Sequence, residues 1–245
     1  MAPRALVSLI DSLVICASPK ASCRSVSDFA WEVANAKSIR CPIKASLIVF
    51  RNPYRRLISG YLNKYVEHSK YRETSLRLCP AARLDTFADF VDELTRHGFR
   101  CVDKVHFKSQ MSRYRWRRFD KVFNSEELEP LGSFVNSFFG TDVAMPFRVR
   151  GNRTLEVRGQ ELAEAAGDGA AAAVTSAGTA PLWSYGYEYL STLLAAGDSP
   201  AYSGFFNDEL RVRARRLYRS DFAFLDRARR RGLIDAGEHQ RLTRI

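Results

Sequence analysis

The predicted fold is decided by residues 49–65, which read VFRNPYRRLISGYLNKY. Residues 46–50 form a short apolar, partly β-branched run, which predicts a buried strand of a parallel sheet. Asn52 and Pro53 then predict a helix start, with Asn52 as the N-cap and Pro53 at the first helical position. The free backbone N–H groups of such a junction favour a bound anion.

The helix predicted over residues 53–65 has an apolar side and a basic side. At about 100° per residue, the apolar side carries Leu57, Ile58, Tyr61, Leu62 and Tyr65, and Ser59 lies opposite with Arg55, Arg56 and Asn63. Guanidinium forks together with a hydroxyl suit a phosphate. A solvated basic face is the alternative that this spacing leaves open.

A second strand and loop precede this junction. Residues 12–17 predict a strand, residues 18–23 a turn, and apolar residues at Val26, Phe29, Ala30 and Val33 predict a helix from near Ser22. A strand, a short basic loop and a helix are the layout by which α/β proteins bind phosphates. We expect the two strands to be neighbours, so that both loops open at the carboxyl edge of the sheet.

These two segments carry a resemblance to a known family. Residues 51–61 resemble the segment by which Golgi carbohydrate sulfotransferases and their bacterial relatives hold the 3′-phosphate of 3′-phosphoadenosine 5′-phosphosulfate (PAPS). The resemblance implies that Arg51 and Ser59 contact this phosphate. Residues 19–26, PKASCRSV, resemble the family's loop around the 5′-phosphosulfate. This second resemblance implies that Lys20 contacts the bridging oxygen as a catalytic residue. It also implies cofactor contacts by the whole loop, Pro19, Lys20, Ala21, Ser22, Cys23, Arg24 and Ser25.

Three later segments also resemble the family. Residues 106–110, HFKSQ, match a His-aromatic-x-x-Gln pattern and imply that His106 is the base, for which an imidazole has a suitable pKa. Relatives that sulfate heparan place a His between the two cofactor segments, whereas residues 27–50 contain none, so a positioning or structural role for His106 is the alternative. Residues 147–154 imply cofactor contacts by Arg150 and Asn152, and residues 217–222 match a closing Tyr-x-x-Asp-Phe pattern.

Other segments predict scaffold elements. Thr86 and Asp89 form a capping-box start for a helix that Gly98 ends. Residues 119–123 predict a strand, and residues 124–127 predict the cap of the helix that follows. Residues 167–181 are rich in Ala and Gly, which is typical of a flexible insertion.

Composition narrows the class of protein. With 245 residues and 46% hydrophobic residues, the chain can bury a full core, and we expect one domain over residues 1–245. A net charge of +11 indicates anionic ligands, including acidic glycans and anionic membrane surfaces. Five cysteines without a C-x-x-C pair favour free thiols and argue against a metal site. No apolar run is long enough to span a bilayer, and we expect a cytoplasmic protein.

Together these patterns predict an α/β, P-loop-like three-layer fold with a central parallel sheet flanked by helices. The resemblance implies a PAPS-dependent sulfotransferase that uses no metal and acts on a carbohydrate or glycosylated small molecule, with no nucleic acid as partner. One rival is a non-catalytic polyanion-binding protein that uses the basic and aromatic residues 114–118 as its contact. A P-loop nucleotide kinase is a second rival, and the missing Walker A glycines count against it.

Overall fold

The computed structural model describes residues 6–10, 13–17, 23–36, 45–99, 102, 104–114, 118–145, 181–196 and 200–245. The strands are β1 (Leu6–Ile10), β2 (Leu13–Ala17), β3 (Ala45–Phe50) and β4 (Lys121–Asn124). The α-helices are α1 (Cys23–Ala36), α2 (Pro53–Tyr61), α3 (Ser69–Leu78), α4 (Phe87–His97), α5 (Lys104–Phe107), α6 (Glu129–Phe139), α7 (Tyr187–Ala195), α8 (Asp208–Leu217), α9 (Arg219–Arg230) and α10 (Ala236–Thr243). A π-helix (Leu62–Val66) follows α2, and short 3₁₀ helices lie at Met111–Arg113, Leu182–Ser184 and Tyr202–Phe205.

The strands form one sheet in the order β1-β2-β3-β4. Strands β2, β3 and β4 are parallel, which confirms the predicted α/β class and the pairing of the first two phosphate-loop strands. Strand β1 was not predicted, and it pairs antiparallel with β2. The two strands are separated by only two residues, and a connection this short permits only antiparallel pairing. The sheet is therefore mixed rather than wholly parallel.

Both faces of the sheet are covered, as the apolar strand sequences predict. One face packs Leu47 and Val49 against apolar residues of α1 and α6. The other face packs Ile48 and Phe50 against Phe224, Leu225 and Ala228 of α9. Because successive side chains of a strand point to opposite faces, burial on both faces requires continuous apolar runs such as β3. The predicted three-layer arrangement is confirmed.

The start of α2 is as predicted, and its end is not. The Asn52 side chain caps the helix, because its Oδ1 accepts hydrogen bonds from the backbone N–H groups of Tyr54 (2.9 Å) and Arg55 (3.4 Å). The α-helix ends at Tyr61, and the chain continues to Val66 as a π-helix. The five residues predicted to be apolar on this helix are all buried.

The N-terminus of α4 is as predicted, and that of α6 is not. Helix α4 has the complete capping box between Thr86 and Asp89 and ends at Gly98, which has φ of 61°. Helix α6 follows β4 as predicted, but its N-cap is Leu128, without a side-chain hydrogen bond. Asn124 instead caps the turn before the helix, because its Oδ1 accepts from the N–H of Glu126 at 3.0 Å.

The chain divides into two compact units. Unit 1 contains Met1–Arg56, Lys108–Arg148 and Tyr218–Arg244, and it holds the sheet. Unit 2 contains Leu57–Phe107 and Val149–Leu217, together with Ile245. The core of unit 2 is rich in aromatic rings, with Tyr61, Tyr65, Phe87, Phe90, Phe107, Phe205 and Phe206 in mutual contact. One domain over residues 1–245 stays a prediction, and residues 167–180 of the predicted insertion lie outside the described residues.

The cysteines differ from the predicted set of free thiols. Cys16 on β2 is a reduced, buried thiol. Cys79 is bonded in a disulfide. Free thiols were predicted because the cysteines form an odd set without a close pair, and that spacing does not exclude a bond between residues distant in sequence. Disulfides are typical of oxidising compartments, and the cytoplasmic location stays a prediction.

Candidate functional site

The candidate site lies where three parallel strands of unit 1 end. Ala17 of β2 pairs with Val49 of β3, and Phe50 of β3 pairs with Asn124 of β4. The backbone N–H of Ser125 also donates to the Phe50 carbonyl at 2.9 Å. The segments after β2, β3 and β4 therefore leave the sheet at one edge, which is the edge where open α/β sheets bind ligands.

Gln110 holds the first residue after β3. Its Oε1 accepts a hydrogen bond from the backbone N–H of Arg51 at 3.2 Å, and its Nε2 donates to the backbone carbonyl of Arg51 at 2.8 Å. Gln110 is fully buried, so neither bond competes with bulk water. The Gln of the His-aromatic-x-x-Gln segment thus fixes the backbone of the residue predicted to hold the 3′-phosphate.

Asp221 in turn holds the segment that carries Gln110. Its Oδ1 accepts from the Ser109 hydroxyl (2.6 Å) and the Met111 N–H (2.8 Å), and its Oδ2 accepts from the Gln110 N–H (3.0 Å). Burial raises the pKa of this fully buried carboxyl, and the three hydrogen bonds and the Arg56 charge oppose that rise. The Asp of the closing Tyr-x-x-Asp-Phe pattern therefore holds Gln110, and Gln110 holds the first residue after β3.

Asn52 connects the same junction to the end of the chain. Its Nδ2 donates to the backbone carbonyls of Arg241 (3.0 Å) and Arg244 (2.6 Å), at the end of α10. Asn52 is 1% exposed, and its two side-chain atoms thus cap one helix and satisfy carbonyls at the end of another. An Asp at this position could not supply the donor.

Arg51 and Arg55 at the junction share the carboxylate of Glu126. Arg51 Nε lies 3.3 Å from Glu126 Oε1, and Arg55 NH1 lies 2.7 Å from Glu126 Oε2. Arg51 is largely shielded, with 12% of its side chain exposed, whereas 45% of Arg55 is exposed. The first turn of α2 contains no acidic residue, so the positive end of the helix dipole adds to these charges.

Arg56 was predicted on the basic side of α2 with Ser59, and the structure shows that its side chain does not face solvent. Its side chain is fully buried, where its charge acts on the ionisable groups of Asp221 and Tyr218. Burial raises the pKa of the Tyr218 hydroxyl, and Arg56 opposes that rise. A helical wheel places Arg56 by angle alone, and it contains no information on a buried acid distant in sequence.

The predicted 5′-phosphosulfate loop is described only in part. Pro19, Lys20, Ala21 and Ser22 lie outside the described residues, as do Arg150 and Asn152. Cys23 and Arg24 open α1, although their side chains are not described, and Ser25 in the first turn is 4% exposed. The first backbone N–H groups of this helix have no partner within it, as an anion-binding helix start requires.

Unit 2 contains the two remaining predicted residues. Ser59 on α2 and His106 on α5 are both half-buried. Next to Ser59, a Cβ at Gly60 would lie 2.7 Å from Cε1 of Phe107, so only glycine permits this approach. Phe107 also packs against Tyr65 and Phe90, which fixes the residue that follows His106.

Three residues of the site were not among the predicted site residues: Gln110, Asp221 and Glu126. Gln110 and Asp221 lie within segments that resembled the family, so the motifs carried a signal for them. Glu126 follows a predicted strand, and nothing in its local sequence indicates that it contacts two arginines. In the described part of the chain, no three His, Cys, Asp or Glu side chains are grouped to hold a metal, and none of the helices there is long and apolar enough to cross a membrane.

Comparison with known proteins agrees with this geometry. The family model described as Sulfotransferase family matches residues 9–133, just over half of the 245 residues. The match includes both predicted phosphate segments, His106, Gln110 and Glu126, and it ends before Asp221. No curated protein and no solved structure matches the chain. On the family match, the chain belongs to the sulfotransferase family.

Proposed function

We propose that the protein transfers the sulfuryl group of PAPS to a hydroxyl of a carbohydrate or glycosylated acceptor. The observation that carries this proposal is the strand-to-helix junction at Arg51, where a capped helix start and two arginines lie within the family match. Such a junction favours a phosphate, because it combines guanidinium donors with the positive end of a helix.

The proposal distributes the nucleotide over the predicted segments. Arg51 and Ser59 bind the 3′-phosphate, and residues 19–25 bind the 5′-phosphosulfate, with further contacts from Arg150 and Asn152. Gln110 and Asp221 support this assignment, because they hold the Arg51 backbone in place before any ligand binds. A preformed site loses less free energy to ordering when the nucleotide arrives.

The proposed reaction is an in-line transfer. The acceptor oxygen forms a bond to sulfur while the bond from sulfur to the phosphate oxygen breaks, which gives a sulfate ester and 3′,5′-ADP. His106 takes the proton from the acceptor hydroxyl. Lys20 stabilises the negative charge that grows on the leaving oxygen, and donors placed where charge develops usually contribute most to catalysis. No step in this scheme requires a metal.

We further propose that the acceptor is acidic. The exposed side of α9 and the turn after it carry Arg219, Arg227, Arg229, Arg230 and Arg231. Among the described residues, none of these five forms an ion pair with a carboxylate, unlike Arg213 on α8 or Arg241 on α10. Together with the net charge of +11, this surface favours an acidic glycan over a neutral one.

Transfer of radiolabel from [³⁵S]PAPS into a panel of acidic and neutral glycans tests the proposal. We expect labelled product with acidic glycans and inhibition by 3′,5′-ADP. The polyanion-binding rival predicts no label transfer, together with retention on 3′,5′-ADP agarose that salt alone abolishes. Specific elution by free 3′,5′-ADP at high salt would contradict that rival.

A further inference from the structure

The family resemblance implies no role for Glu126, which contacts two arginines. Each of its carboxylate oxygens receives one hydrogen bond from a different guanidinium, Oε1 from Arg51 and Oε2 from Arg55. The carboxylate therefore bridges the arginine predicted to hold the 3′-phosphate and the arginine in the first turn of α2.

The position of Glu126 is fixed by the end of the sheet. Its backbone N–H donates to Asn124 Oδ1 at 3.0 Å, and the preceding residue, Ser125, donates to the carbonyl of Phe50 at 2.9 Å. Asn124 and Phe50 are themselves paired across β3 and β4. The short turn after β4 thus brings a carboxylate to the residue after β3, and a different conformation of the turn would break these bonds.

The Glu126 carboxylate uses donors that a bound phosphate would also need. Among the described side chains, Arg51 and Arg55 share the Glu126 carboxylate at the positive end of α2. A carboxylate and a phosphate use the same guanidinium donors. In addition, two anions held at one pair of guanidinium groups repel each other.

We propose that Glu126 is a built-in competitor of the 3′-phosphate, which limits how tightly the nucleotide, and above all the product 3′,5′-ADP, is held. This inference rests on the proposed function. The incoming phosphate replaces the Glu126 carboxylate as the partner of Arg51 and Arg55, and the carboxylate replaces the phosphate again when the product leaves. The cost of that exchange reduces the affinity for ligands that carry a 3′-phosphate.

Calorimetry with 3′,5′-ADP and 5′-AMP on wild type, Glu126→Gln and Glu127→Gln tests the proposal. Glu127→Gln is the matched control, because it removes the same charge from the adjacent residue. The Glu127 carboxylate lies 3.8 Å from the Arg241 guanidinium. We expect Glu126→Gln to bind 3′,5′-ADP about tenfold more tightly, a change of about 1.4 kcal/mol. Its affinity for 5′-AMP, which lacks the 3′-phosphate, should equal that of wild type, and Glu127→Gln should behave as wild type towards both.

Equal or weaker binding of 3′,5′-ADP by a folded Glu126→Gln variant overturns the proposal, since the carboxylate then orients the arginines rather than competing. An equal gain for both nucleotides also overturns it, because the effect is then one of general charge. Circular dichroism of each variant establishes that it is folded. If wild type shows no preference for 3′,5′-ADP over 5′-AMP, the 3′-phosphate site of the proposed function fails first, and this inference fails with it.

Discussion

In unit 1, hydrogen bonds to the buried carboxylate of Asp221 hold the segment that fixes Arg51, whereas in unit 2, ring packing around Phe107 holds the segment that carries His106. The two kinds of support differ in how they fail. A hydrogen-bonded carboxylate is specific in direction, and its loss leaves buried donors without acceptors. An aromatic cluster adapts more readily to small changes of shape, but it resists added volume. The predictions below test this contrast, beginning with the largest expected effect.

The chemical role of His106 gives the largest expected effect. We expect His106→Ala to lower kcat by about 10²–10⁴-fold, because proton abstraction by a positioned base contributes that much. The affinity for 3′,5′-ADP should not change, since the proton transfer does not involve the nucleotide phosphates. Steady-state kinetics and calorimetry measure the two quantities. His97→Ala is the control, because His97 is an exposed histidine of α4 in the same unit. Near-normal turnover would remove His106 as the base and direct the search to His68 and Glu67.

Loss of the Asp221 carboxylate tests the hydrogen-bonded support of unit 1. Asp221→Ala leaves the Gln110 and Met111 N–H groups and the Ser109 hydroxyl without this acceptor, and each buried unsatisfied group costs about 1–3 kcal/mol. The Ser109 hydroxyl keeps Ser220 as a partner at 2.7 Å, so the two N–H groups set the loss, and we expect the free energy of unfolding in urea to fall by at least about 2 kcal/mol. Asp226→Ala on the same helix removes a partly exposed pair with His239 and should cost less than about 1 kcal/mol. Similar losses in both variants would contradict the role given to Asp221.

Substitution of Arg51 tests ligand binding by its side chain without breaking the hydrogen bonds that hold its backbone. Arg51→Ala should weaken 3′,5′-ADP binding about tenfold or more, because a hydrogen bond to a charged group contributes about 1.5–3 kcal/mol. Ser59→Ala should weaken it less, since a neutral hydroxyl is the weaker donor. The backbone bonds between Arg51 and Gln110 do not require the Arg51 side chain, so the fold should be retained. Unchanged affinity of Arg51→Ala by calorimetry would remove the 3′-phosphate assignment.

Added volume at Gly60 tests the packed support of unit 2. Gly60→Ala places a methyl group 2.7 Å from the Phe107 ring, and overpacking of this kind costs about 1–3 kcal/mol. Gly186→Ala is the matched control, because its Cβ would lie 4.0 Å from the nearest atom, the Asp85 carbonyl oxygen. We expect Phe107→Leu to restore part of the stability lost in Gly60→Ala. Two independent, additive losses in that double variant would argue against the contact.

The smallest expected effect is a pH dependence of stability. Burial raises the pKa of Asp221 above its ordinary value of 3.8, so the folded chain binds a proton at pH values where the unfolded chain has released it. Stability from this group is complete below about 3.8 and is lost as the pH rises through the folded pKa. We expect the unfolding free energy of wild type, relative to Asp221→Asn, to fall over that interval. Parallel curves for the two proteins would contradict the direction of the shift.

The sequence predicted local structure better than it predicted the site's supports. The Asn52 cap, the Thr86 capping box and the strand β3 depend on neighbouring residues, and the structure confirms all three. The burial of Arg56 was missed, and so were the roles of Gln110 and Asp221. Gln110 binds Arg51 across 59 positions of sequence and Asp221 across 111, and no periodic pattern reports contacts of that range.

The carboxamide of Gln110 offers Arg51 one donor and one acceptor, which is also what a peptide group of a neighbouring strand would offer. The Gln110 side chain thus pairs with the Arg51 backbone as a residue of a neighbouring strand would, one residue beyond the end of β3. Rotation of either peptide plane at Arg51 would break one of these bonds, which ties both adjacent torsions to a single group. The direction in which the Arg51 side chain leaves the backbone is therefore set by the Gln110 amide. We expect Gln110→Glu, whose carboxylate cannot donate to the Arg51 carbonyl, to loosen the Arg51 backbone.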